Sequence, residues 1–90
     1  MRIEVTQDDI DKGLRNKGFL CPVARATKRS VPNFFAVGTW FFQMSHAPEH
    51  QRHLAMPQDA FDWIARYDLG EPMEPFAFDL DTEQYVEVPA

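Results

Sequence analysis

Three histidines stand close together in the spacing H-x3-H-x2-H, His46, His50 and His53, and the chain holds one cysteine, Cys21. Imidazole and thiolate are the ligands zinc takes in a tetrahedral site. On a continuous helix the three rings would leave from one side. Pro48 falls between the first two and interrupts a helix there. No second cysteine or CxxC pair completes the set. Solvated loop histidines are the simpler expectation, so no metal ligand is assigned. A zinc-supported structural domain stands as a lesser alternative.

Cys21 offers a second chemistry. It precedes Pro22 at the expected start of a helix, with Arg25 one turn on. A helix N-terminus and a nearby cation both lower a thiol pKa and favour the nucleophilic thiolate. A thiol hydrolase also needs a positioned histidine and an orienting group, and no family signature surrounds Cys21. A small buried or capping cysteine is the simpler expectation. The acid pairs Asp8/Asp9 and Asp79/Asp81 carry the residue types of a two-carboxylate hydrolase. Helix caps and solvated strand ends explain them more simply. There is no glycine-rich phosphate loop, GxSxG or HExxH. The chain is therefore expected not to be an enzyme, with no catalytic residue and no cofactor.

Arg25, Lys28 and Arg29 lie at i, i+3 and i+4, which places them on one face of a helix. They form the one coherent basic patch, and they are assigned as partner-binding residues. Contacts to phosphate would make the chain a small nucleic-acid binder, which is the first alternative. Its net charge of −5 is low for such a protein. That charge is unevenly laid out. Residues 1–11 carry a net −3, residues 12–48 carry +6 with no acid at all, and residues 49–90 carry −8. Such segregation marks either a charged interaction face or two segments that neutralise each other in the fold.

The elements that must position these residues follow from periodicity and punctuation. Ile3 and Val5 alternate with Arg2 and Glu4, predicting a strand over Arg2–Thr6. Thr6 then caps a short helix with Asp8 and Asp9 at its positive end, Ile10 as the buried residue and Gly13 as a left-handed stop. Leu14–Leu20 reads as a loop. Cys21–Ser30 reads as a helix opened by Pro22, with Val23, Ala24, Ala26 and Thr27 toward the core. The run Phe34–Met44 reads as strand, with Gly38 at a bulge or hairpin centre. Ser45–Met56 is a polar loop with a short strand around His53–Ala55. Pro57–Leu69 reads as a helix with a stripe of Phe61, Ile64 and Ala65, beside Ala60 and Trp63. An Asp62–Arg66 pair supports it, and Gly70 stops it. Phe76–Leu80 alternates as a strand, expected in one sheet with Ile3–Val5. From Asp81 onward the tail either adds a little extension through Tyr85, Val86 and Val88 or is loose.

Ninety residues make one domain, 1–90. An aromatic fraction of 13% supplies enough bulk for a packed core, so the chain is not read as disordered. No apolar run approaches the roughly 18 residues of a membrane span. The lone cysteine and the absence of a secretory pattern in MRIEVTQDDI fit a reducing, cytoplasmic compartment. The expected fold class is α+β, a small antiparallel sheet packed on one face by two short helices.

Three blocks resemble a known group. IEVTQDDIDKG at Ile3–Gly13, CPVARA at Cys21–Ala26 and WIARYDLGEPMEPFAFDL at Trp63–Leu80 are similar to blocks in small uncharacterised phage-encoded proteins. The resemblance covers about half the chain and rests on the order and spacing of the blocks. Val31–Pro57 lies outside it. It implies a phage or prophage origin and a cytoplasmic role in an infected bacterium, and it carries over no catalytic residue. The expectation is an acidic, non-enzymatic accessory protein that binds and modulates a host protein. Trp40, Trp63 and Tyr67 would join the binding surface if exposed, but core packing is the expected fate of each.

Overall fold

Ile3 and Val5 are buried while Arg2 and Glu4 face solvent, so the first strand, β1 (Arg2–Val5), is half-buried as its alternation predicts. The computed structural model describes residues 1–89. Helix α1 (Gln7–Lys12) follows directly. The Asp9 N–H donates to Thr6 Oγ1 at 3.2 Å, and the Thr6 N–H donates to Asp9 Oδ2 at 3.0 Å, a reciprocal capping box. The buried residue of α1 is Asp9, with no exposed surface, while Ile10 is only half-buried. Gly13 is not left-handed either, because its φ is −71°. What requires glycine there is close approach: a Cβ would lie 2.6 Å from Pro22 Cδ and 2.8 Å from the Asp9 carbonyl oxygen.

Helix α2 (Pro22–Ser30) turns Pro22, Val23, Ala24, Ala26 and Thr27 inward. The Thr27 hydroxyl is satisfied by the Val23 carbonyl at 2.7 Å. Strands β2 (Phe34–Val37) and β3 (Phe41–Met44) form a hairpin across Gly38, whose N–H donates to the Phe41 carbonyl. A 3₁₀ turn over Glu49–Gln51 leads into β4 (His53–Ala55). Helix α3 (Gln58–Asp68) ends as its glycine predicts: Gly70 has φ +86°, its N–H donates to Tyr67, and the Glu71 N–H donates to Arg66. This is the paired C-terminal bonding that a left-handed glycine permits. Strand β5 (Phe76–Asp79) closes the set.

The class is α+β, as expected. The strands divide into two antiparallel sheets rather than one, β1–β5 and β2–β3–β4, and the helices number three. Helix α2 packs on both β1 and β2, and so on a strand of each sheet. The expected pairing of Ile3–Val5 with the strand at Phe76 holds, in the register Ile3↔Phe78 and Val5↔Phe76. The segment after Asp81 extends the second sheet. The Ala55 N–H donates to Gln84, the Val86 N–H donates to His53, and Leu54 bridges Tyr85.

Helix α3 buries one side of the predicted broad stripe, Ala60 and Trp63, and adds Tyr67 to it. Ala60, Trp63 and Tyr67 are inside, Ile64 is half-buried, and Phe61 and Ala65 are exposed. Trp63 stacks on Tyr67 and Phe76 with ring centroids 5.6 and 4.9 Å apart. The Trp63 indole N–H reaches the Glu74 carbonyl at 3.2 Å, and the Tyr67 hydroxyl reaches the Gly13 carbonyl at 3.0 Å. Each aromatic thus keeps a partner for its polar tip, and this selects the Trp63–Tyr67 face over Phe61. The Asp62–Arg66 pair does not form. Asp62 accepts from Gln58 at 2.9 Å, and Arg66 pairs with Glu71 at 3.2 Å.

Candidate functional site

The basic face of α2 is largely turned onto α1. Arg29 grips Asp9 with both terminal nitrogens at 2.6 Å and also donates to the Glu4 carbonyl at 3.2 Å. Arg25 lies more loosely, with Nε 3.5 Å from Asp9 and Nη2 3.7 Å from Asp8. The buried Arg25 Nε makes no hydrogen bond. Burial pushes the Asp9 carboxyl up, but the Arg29 fork and the Thr6 N–H outweigh it and hold the pKa at about 2. Only Lys28 of the three is free of acids. Its Nζ donates to the Phe19 carbonyl at 3.2 Å and lies 5.9 Å from the centre of the Phe19 ring. Three cations of the basic segment, Lys12, Arg25 and Arg29, therefore pair with Asp8 and Asp9 of residues 1–11. Of the ten acids in residues 49–90, only Glu71 has an ion-pair partner among the described residues.

The histidines and Cys21 are not brought together. His50 and His53 border a cavity closed by Tyr85 and Val86, whereas Cys21 borders a different one. Among the described residues no three His, Cys, Asp or Glu side chains gather closely enough to hold a metal ion. Cys21 is the N-cap of α2, its Sγ accepting the Ala24 N–H at 3.4 Å. The thiol pKa is raised, not lowered: burial pushes it up, against the pull of the Ala24 and Val23 N–H groups. In the native protein a thiol-specific disulfide reagent at about pH 8 is expected to leave Cys21 unlabelled, and to label it fully once the chain is unfolded. Rapid labelling of the folded chain would contradict this burial.

What the fold does bring together is apolar and exposed. The loop before α2 is tied to β2, the Val37 N–H donating to the Gly18 carbonyl at 2.6 Å. Gly18 is required at that contact, since a Cβ would sit 2.5 Å from the Val37 carbonyl oxygen. The tie sets Phe19 beside Phe35, ring centroids 6.2 Å apart, with the two residues 50% and 53% exposed. Phe35 is outside because it alternates with the buried Phe34 and Ala36 along β2, and the strand carries a register shift at this point. An extra residue of this kind bends the strand and re-aims its side chain.

On the other side of Gly18 lies an open cleft of about 490 Å³. Val37 and Gly38 of the hairpin turn form one wall. Phe61, Ile64 and Ala65, on the less buried side of α3, also line it, with Met56. Lys17 and Asp68 stand at its edge, and the Asn16 N–H donates to Asp68 at 2.9 Å. Two residues that line the cleft neighbour the aromatic pair in the chain: Gly18 precedes Phe19, and Val37 follows Phe35 by two positions on β2. Trp40, half-exposed at the hairpin turn, packs edge-on against Phe41. Trp63 and Tyr67 are buried, as core packing required.

Sequence reasoning missed Phe19, Phe35 and the cleft. One signal was present: adjacent side chains in a strand point to opposite faces, so Phe34–Phe35 obliges one ring to leave the core. Comparisons with protein-family models, curated proteins and solved structures find no match to this chain.

Proposed function

We propose that this chain is a phage-type accessory protein that binds and modulates a host protein, acting by contact rather than by catalysis. The observation that carries this reading is the exposed Phe19–Phe35 pair together with the largely apolar cleft lined by their chain neighbours Gly18 and Val37. Exposed aromatic anchors next to a concave apolar pocket are the features that concentrate binding energy in protein interfaces. Both are held on hydrogen-bonded elements, so little ordering is left for the moment of binding. The resemblance of the Ile3–Gly13, Cys21–Ala26 and Trp63–Leu80 blocks to phage-encoded proteins supports the host context, the cytoplasm of an infected bacterium. Of the predicted binding residues Arg25, Lys28 and Arg29, only Lys28 contributes to this surface. A nucleic-acid reading would likewise have to start from it.

The test is affinity capture from bacterial lysate with the wild-type chain and with a Phe35→Asp/Phe61→Asp variant. Both positions are exposed, and surface changes of this kind cost about 0.5 kcal/mol or less, so circular dichroism should be unchanged. A protein retained by the wild type and lost by the variant is the expected result. Identical capture by both, or none at low salt, would sink the reading.

A further inference from the structure

We infer that the segment this surface takes is acidic, with one large apolar side chain as its anchor: the side chain enters the cleft, and its acids lie along Lys17 and Lys28. The inference rests on the protein-binding reading above and names the partner's chemistry.

The cleft supplies the anchor site. Its walls of Val37, Met56, Phe61, Ile64 and Ala65 are apolar, and about 490 Å³ holds a leucine, phenylalanine or tryptophan side chain with room to enter. A chain leaving that anchor across Gly18 meets Phe19 and Phe35, and on this path the free charge is positive. Lys17 borders the cleft, and Lys28 stands at the Phe19 ring. Neither lysine has an ion-pair partner among the described residues, and the stretch 12–48 that supplies both contains no acid. Arg25 and Arg29 cannot join them, because their charges are engaged by Asp8 and Asp9. Among the described residues lining the cleft the single acid is Asp68, on α3; it accepts the Asn16 N–H but keeps its charge, which disfavours a partner's acids on that side. Polarity is thereby set, with the partner's acids toward the loop and α2 and its apolar anchor toward α3.

A nucleic-acid strand fits less well. A single-strand groove combines stacking rings with a run of cations that tracks the phosphates. Here two lysines flank a pocket shaped for a side chain.

The experiment is a displayed library of random dodecapeptides panned against the full chain. The selected peptides and a labelled dT20 oligonucleotide are then titrated by fluorescence anisotropy. Selected sequences are expected to pair Leu, Phe or Trp with Asp or Glu. Their affinity should fall about tenfold for Lys17→Glu/Lys28→Glu, and by more for Phe61→Asp. Basic or uncharged sequences that still lose binding with Phe61→Asp would overturn the acidic partner while leaving the protein-binding reading intact. Absence of any enriched peptide would overturn both. Binding of dT20 tighter than that of the peptides would overturn the inference in favour of nucleic acid.

Discussion

An Asp9→Ala variant is expected to be about 3 kcal/mol less stable than the wild type, read as a lower urea midpoint at unchanged slope. The carboxylate has no exposed surface and receives both Arg29 nitrogens and the Thr6 N–H. Its removal dissolves the capping box, a loss of about 1 kcal/mol. It also leaves Arg29 without its ion-pair partner, and leaves Arg25 with only Asp8, 3.7 Å away, as a counter-charge. Breaking a fully buried pair costs about 3–5 kcal/mol. Arg29 is half-exposed, so water recovers part of its share, and the lower end applies. The pH dependence follows from the same contacts. Asp9 titrates at about 2 instead of 3.8. A depressed carboxyl pKa stabilises the fold fully above the unfolded value and loses that contribution as pH falls through the folded one. Stability should therefore fall between about pH 4 and pH 2 by about 2 kcal/mol from this group alone, and Asp9→Asn should flatten that part of the profile. A loss below about 0.5 kcal/mol for Asp9→Ala would place the pair among ordinary surface contacts.

Phe42→Ala should be the most damaging single truncation, at about 3–5 kcal/mol. Phe42 is completely buried. Its ring meets Phe34 edge-on at 5.7 Å and Phe78 at 6.2 Å, and its register partner is Leu54. Phe78 belongs to the two-stranded sheet and Phe42 to the three-stranded one, so this contact joins two sheets that share no strand pairing. For a domain of this size each kcal/mol lowers Tm by about 4–8 °C, a shift easily read by thermal melting. Truncating the exposed Phe35 in the neighbouring strand should change stability by only about 0.5 kcal/mol. Similar losses from Phe42→Ala and Phe35→Ala would contradict the packing described.

Much of the local structure was legible because its causes are local. The Thr6 cap, Pro22 at the start of α2, the hairpin at Gly38 and the Gly70 stop each depend on residues within one turn of the chain. The pairing of β1 with β5 was readable from matched alternation. The burial of Asp9 was not. A hydrophobic ranking puts Ile10 inside, and the charge that permits the reverse arrives from Arg29, twenty residues on. The face of α3 was ambiguous for a related reason. Phe61, Ile64 and Ala65 form as good a stripe as Ala60, Trp63 and Tyr67. The choice is made by Gly13 and Glu74, whose carbonyls receive the Tyr67 and Trp63 donors. The cleft then follows as the place where the losing stripe is left over. No window of sequence contains it, since its walls come from the loop before α2, the β2–β3 turn and α3.

The pairing of β1 with β5 also bears on how the molecule is made. Arg2 faces Asp79, and the Met1 ammonium donates to the Leu80 carbonyl at 2.9 Å. During synthesis the first strand therefore leaves the ribosome long before its strand partner exists. Sheet closure across such a separation is slow relative to helix formation. The contact that ties the two ends of the described fold is thus one of the longest in sequence separation, and the pairing of β1 with β5 can close only after β5 has been made.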